Sequence, residues 1–242
     1  MGSKGKGKCK SAQVPPVALQ QRAMLAARRA TELAAAGFPS FDQLKARTGK
    51  FFARVERKLA DVPEDRLQPP PATIAAPAAL QCGLLGDGDE VAELREMFEN
   101  LLAASMDRRT ASSAHPAFVS IISQLTPDEA RILKSIDRDD YALVNVYQFR
   151  PDGDRQLIAT RTRLGVGIGI DETRQQQYIS NLDRLGILRI STRSSSDIEG
   201  HNALVTLAVE LVNRGATSSN ESIVVTPLGR QFLDTCVRAR GR

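Results

Sequence analysis

The period of the apolar positions changes along this chain, and each change marks an element. Phe41, Leu44, Phe51, Phe52, Val55 and Leu59 recur near helical spacing, with Lys45, Arg47, Lys50, Arg54, Arg57 and Lys58 between them. That pattern predicts an amphipathic helix over 41–60. The alanine-rich stretch 17–36, ending at Gly37, predicts another helix before it. Pro63, Pro69, Pro70 and Pro71 stop regular structure, so 61–71 reads as a linker or an extended strap. A short helix at 72–82 and a Gly83–Gly88 loop follow. Val91, Leu94, Met97, Phe98, Leu101 and Leu102 then form the stripe of a helix over about 89–106, with Glu90, Glu93, Glu96 and Glu99 mostly off it. His115-Pro116 opens a helix to about Leu125. Thr126-Pro127-Asp128-Glu129 starts the next, to about Ile136: Thr126 caps it, Pro127 fits the first helical position and Glu129 completes a capping box.

Beyond residue 140 the period shortens. Tyr141 to Phe149 is rich in strand formers, Pro151-Asp152-Gly153 is a turn, and Leu164 to Ile170 is interrupted by glycine. Residues 171–185 return to helical spacing, with Tyr178, Ile179, Leu182 and Leu185 as the buried face. Gly186 stands where a left-handed terminator belongs, with Leu182 able to pack on Ile187 across it. Ile187 to Ile190 reads as a strand, 193–201 as a serine-rich loop, 202–213 as a helix and Ile223 to Val225 as a second strand. Thr226-Pro227 caps a final helix carrying Leu228, Phe232, Leu233, Cys236 and Val237. The fold class is therefore mainly α with a small β component. A helical N-terminal region precedes a winged-helix-like C-terminal domain whose wing is the strand pair, with 202–213 an unusual insertion in it. The divisions are a flexible basic tail (1–13), a basic helical region (14–60), a Pro-rich linker (61–71), a helical region (72–125) and the winged-helix-like domain (126–242).

Charge sharpens this picture. The net +5 conceals a surplus of ten basic groups in residues 1–60, a deficit of six in 61–116 and a surplus of one in 117–242. The basic character belongs to the N-terminal quarter. No run approaches the roughly 20 apolar residues that span a bilayer. The basic start lacks the apolar core and cleavage site of a secretory signal, and Lys6 breaks the myristoylation pattern. Cys9, Cys82 and Cys236 are odd in number and far apart, which fits free thiols in a reducing cytoplasm.

The stretches LREMFENLLAASMD (94–107), HPAFVSIISQLTPDEARIL (115–133), YISNLDRLGIL (178–188) and VVTPLGRQFLDTC (224–236) resemble the abortive infection alpha family of bacterial proteins, over roughly residues 70–237. The family is associated by its name with phage defence. The resemblance brings no catalytic residues to transfer.

The residues themselves offer little chemistry. His115 and His201 are the only histidines, 86 positions apart, and neither has a Cys or carboxylate at metal spacing. His115 reads as a helix-start residue and His201 as solvated. Gly165, Gly167 and Gly169 lack the later positions of a phosphate loop. Asp87 and Asp89 lack the oxygen spacing of a calcium loop and read better as a helix cap. Cys236 falls on an apolar face, and Cys9 sits in the tail beside lysines. Neither a catalytic set, a cofactor site nor a metal site is expected. Binding is the better expectation. Arg174, Gln175, Gln177, Asn181 and Arg184, with Gln176, line the polar side of the 171–185 helix, and such side chains read base edges in a major groove. The near-neutral charge of 117–242 argues instead for structural or protein contact, since phosphate neutralisation dominates DNA affinity. Lys45, Arg47, Lys50, Arg54, Arg57 and Lys58 form either a solvated face, a surface docked on the acidic 61–116 segment of this or another copy, or a contact for nucleic acid or an anionic membrane surface. The partners expected are protein, including self-association, and nucleic acid through the basic N-terminus. The leading expectation is a cytoplasmic, non-enzymatic phage-defence protein, and the alternative is a winged-helix DNA-binding regulator.

Overall fold

The computed structural model describes residues 39–150, 153–162, 164–165, 174–193, 202, 204 and 217–238. The helix predicted at 17–36 lies outside them. The chain divides into two units, Met1–Ala46 and Arg47–Arg242. In the first unit, Ser40 and Gln43 exchange reciprocal bonds: the Ser40 amide donates to Gln43 Oε1 at 2.9 Å, and the Gln43 amide donates to Ser40 Oγ at 3.2 Å. This capping box starts helix α1 (Phe41–Leu59), which continues into the second unit.

In the second unit, α1 buries Phe51, Val55 and Leu59, while Phe52 is exposed. The prolines after it make a strap bound at one end. Gln68 donates its amide to the Met106 carbonyl at 2.9 Å, Arg108 donates to the Arg66 carbonyl at 3.0 Å, and Arg66 pairs with the buried Asp107 at 2.6 Å. Helix α2 (Ala72–Leu85) leads to α3 (Ala92–Met106), which is buried on most sides and packs against α2, α4 (Ala117–Ser123) and α5 (Pro127–Lys134). Glu99, expected off the apolar stripe of α3, is buried. The capping box of α5 forms in full, with Thr126 accepting from the Glu129 amide and Glu129 accepting from the Thr126 amide.

The C-terminal part holds a four-stranded antiparallel sheet, in the order β2-β1-β4-β3, built from β1 (Asp140–Phe149), β2 (Arg155–Thr162), β3 (Leu188–Ser191) and β4 (Thr217–Val225). Strand β2 is absent from the sequence reading for a physical reason. The pairing jumps from Val146–Ala159 to Tyr147–Leu157, so Ile158 is a bulge, and a bulge destroys the alternation that marks a strand. The strand pair read as a wing thus belongs to a larger sheet: β4 pairs with β3 over four positions and with β1 over eight. Tyr141 and Leu143 face the main core with Ile223 and Val225. Ala142, Val144 and Val146, which alternate with them, are buried as well.

Helix α6 (Gln175–Arg184) packs on β3 and α5. It ends as a Schellman turn: Gly186 has φ +73, its amide donates to the Asp183 carbonyl at 2.9 Å, and the Ile187 amide donates to the Leu182 carbonyl at 3.1 Å. The chain closes with α7 (Pro227–Phe232) and a π turn (Leu233–Val237) that packs against α3. The whole is mainly helical with a small antiparallel sheet. Of the predicted 202–213 helix only Asn202 and Leu204 are described. Both are helical, and Leu204 is buried.

Candidate functional site

The polar side of α6 divides between residues that hold the fold and residues that face outward. Gln175 is buried and donates to the Leu164 carbonyl at 2.8 Å. Asn181 donates to Glu129 Oε1 at 2.8 Å and to the Gln124 carbonyl at 3.3 Å. Arg184 donates to Asn181 Oδ1 at 2.7 Å and to Gln124 Oε1 at 3.1 Å. Asn181 and Arg184 thus tie α6 to Glu129 and Gln124 around the α5 capping box, while Gln175 ties it to Leu164. Tyr178 adds a third tie to the α5 region, its hydroxyl donating to Asp128 Oδ2 at 2.5 Å. That bond lowers the Asp128 pKa against the opposing effect of burial, with Arg131 adding to the lowering, and it raises the Tyr178 pKa. Arg174, Gln176, Gln177 and Ser180 remain on the exposed side.

Beside that exposed side, the sheet and α6 border a half-open cavity of about 220 Å³. Leu143, Asn145 and Tyr147 of β1, with Glu221 of β4, line it from the sheet, and Gln176, Ile179 and Ser180 line it from the helix. Asn145, Tyr147 and Glu221 are missing from the sequence reading. The available signal was Asn145 alternating with Leu143 in a strand of otherwise apolar inward positions.

The basic side of α1 is largely occupied within the chain. Lys50 pairs with Asp87 at 3.0 Å, Arg54 with the buried Glu99, and Lys58 with Glu96 at 3.9 Å; Lys134 reaches Glu96 from α5 at 3.0 Å. Arg47 donates to the Gly83 carbonyl at 3.3 Å. Lys45 and Arg57 are exposed. Of the readings open for this face, docking on the acidic 61–116 segment within the same chain describes Lys50, Arg54 and Lys58. It also corrects the reading of Asp87 and Asp89 as a helix cap. No side chain caps either the turn at Asp89–Val91 or α3, and Asp87 is instead the partner of Lys50, which holds its pKa down.

The candidate nucleophiles are quiet. Burial pushes the Cys82 thiol up to about 11, with the Glu99 carboxylate adding to the effect. Burial likewise raises the Cys236 thiol well above its ordinary value. His115 Nδ1 accepts from the Ala117 amide at 3.1 Å, the bond of a helix-start residue. His201 and Cys9 lie outside the described residues. Among the described residues no three His, Cys, Asp or Glu side chains converge to hold a metal. No described helix is long and apolar enough to cross a membrane.

The family model for abortive infection alpha matches residues 43–236. The chain belongs to the abortive infection alpha family. The match begins at residue 43, inside α1, so the basic helix is part of the abortive infection alpha region together with the α6 network and the cavity. No curated protein matches the chain. An uncharacterized protein from the hydrocarbon-degrading marine bacterium Alcanivorax borkumensis SK2 shares 20% identity with it over 52% of this chain and 92% of that one, at a TM-score of 0.30. That likeness is too low to bear on fold or function.

Proposed function

We propose that this abortive infection alpha protein takes part in phage defence through contact with a macromolecule, and not through a reaction of its own. The observation that carries the proposal is the family match over residues 43–236. The quiet chemistry supports the second half: both described thiols are buried with raised pKa, and the described histidine is committed to a backbone amide. The contact surface is the exposed side of α6, on which Arg174 and Gln177 stand. DNA reading by this helix is disfavoured, because Gln175, Asn181 and Arg184 are already bonded within the chain. The partner is accordingly a protein, either a second copy or another component. The test is plaque formation on cells carrying Arg174→Glu with Gln177→Glu, with protein level and melting temperature measured in parallel. Loss of protection by a folded, abundant variant supports the surface. Full protection rejects it. Loss of protection accompanied by loss of sequence-specific DNA binding moves the role to DNA.

A further inference from the structure

The cavity between the sheet and α6 is built unevenly. Its volume of about 220 Å³ lies below the roughly 300–1,000 Å³ of sites for drug-sized ligands. A small organic molecule fits it. Leu143, Ile179 and Ile190 give it apolar walls, and the Tyr147 ring gives it an aromatic one. Asn145, nine-tenths buried, lies among these walls with Gln176 and Ser180. Glu221 is the one charged residue among those lining it. A carboxylate offers about four lone-pair positions, and one Glu221 oxygen accepts from the Ser219 hydroxyl at 3.1 Å. The Tyr147 ring already receives a cation on its face, with the Arg155 guanidinium carbon 5.4 Å from the centroid. An anion entering this space meets a carboxylate and no basic lining side chain. A cation meets the Glu221 counter-charge among hydrocarbon and aromatic walls.

We propose that this cavity binds a small organic cation, a guanidinium or ammonium group on a short hydrocarbon body, with Glu221 as the counter-charge. The proposal is independent of the phage-defence reading and is tested in solution on the full chain. The probes are n-butylguanidinium, its neutral isostere n-butylurea, and butyl phosphate, titrated while the protein is followed by NMR. Saturable binding of the guanidinium, at least tenfold weaker binding of the urea and none of the phosphate are expected. Glu221→Gln should bring guanidinium and urea to within about threefold of each other. Ser180→Leu, at an exposed helix position, should fill the cavity and remove binding of both at an unchanged melting temperature, and it decides the matter alone if Glu221→Gln does not fold. Equal affinity for guanidinium and urea in the native protein, no saturation up to 10 mM, or binding that survives Ser180→Leu overturns the proposal.

Discussion

Gly186 and Gly229 act at one junction for two different reasons. Gly186 needs its left-handed backbone, φ +73, to end α6. Gly229 needs its missing side chain, since a Cβ there would lie 2.0 Å from the Ile187 carbonyl oxygen, which is backbone and cannot swing away. Thr226 joins the two sides, its hydroxyl accepting from the Gly229 amide at 2.8 Å and donating to the Gly186 carbonyl. Gly186→Val should cost about 1–2 kcal/mol through backbone strain, with Gly186→Asn milder because Asn tolerates that conformation. Gly229→Ala, conservative by composition, should cost about 1–3 kcal/mol through overpacking. At roughly 2–4 °C per kcal/mol for a chain of this length, thermal unfolding reads both effects. A Gly229→Ala melting temperature equal to that of the native protein would show that α7 does not press on Ile187.

At the scale of elements, charge decides how α1 and α6 are seated. Arg54 reaches the buried Glu99, so Arg54→Met leaves a carboxylate buried without its partner. The expected loss is about 3–5 kcal/mol, recovered largely by adding Glu99→Leu, because replacing both members of a buried pair is far cheaper than removing one. Denaturant unfolding of the single and double variants checks this, and a double variant no more stable than the single one rejects it. The α5–α6 seam carries a pH signature. The Tyr178 bond, aided by Arg131, lowers the Asp128 pKa in the folded protein. A carboxyl lowered in this way contributes stability that is present above its unfolded pKa and is lost as pH falls through the folded value. Stability should therefore decline from about pH 5 downward, and Tyr178→Phe should make that decline shallower. A chemical-denaturation series across this range that gives parallel curves for both proteins would exclude the coupling. Both seams also show what a sequence discloses. Local signals came through intact: the Thr126–Glu129 capping box, the Gly186 terminator and the Phe51, Val55 and Leu59 stripe all act within a few residues. Pairings 45 to 52 residues apart did not. No periodicity says that Arg54 meets Glu99, that Asn181 meets Glu129, or that Glu221 of β4 and Gln176 of α6 border one cavity. Strand β2 escaped because the bulge at Ile158 broke its alternation.

At the scale of the whole molecule, the location of the basic surplus determines what nucleic-acid binding would mean. Residues 1–60 carry a surplus of ten, but α1 spends part of it internally, on Asp87, Glu96 and Glu99. Removing all of 1–60 would also remove Phe51, Val55 and Leu59 from the core, so such a truncation would report unfolding rather than binding. Residues 1–38 hold seven Lys and Arg against the single acid Glu32, and a cut there spares the Ser40 cap and every buried residue of α1. If the protein binds duplex DNA, that binding should be unspecific and carried by residues 1–38. The truncated chain starting at Pro39, checked for folding by thermal unfolding, should lose most of its affinity and show a flatter dependence on salt, because each lost phosphate contact removes about 0.9 from the slope of log affinity against log salt concentration. Fluorescence anisotropy with two unrelated duplexes at several salt concentrations measures the affinity and its salt dependence. A truncated protein that still prefers one duplex, and loses that preference on Arg174→Ala or Gln177→Ala, would place recognition on α6. It would make the protein a sequence reader despite the internal bonds that hold Gln175, Asn181 and Arg184.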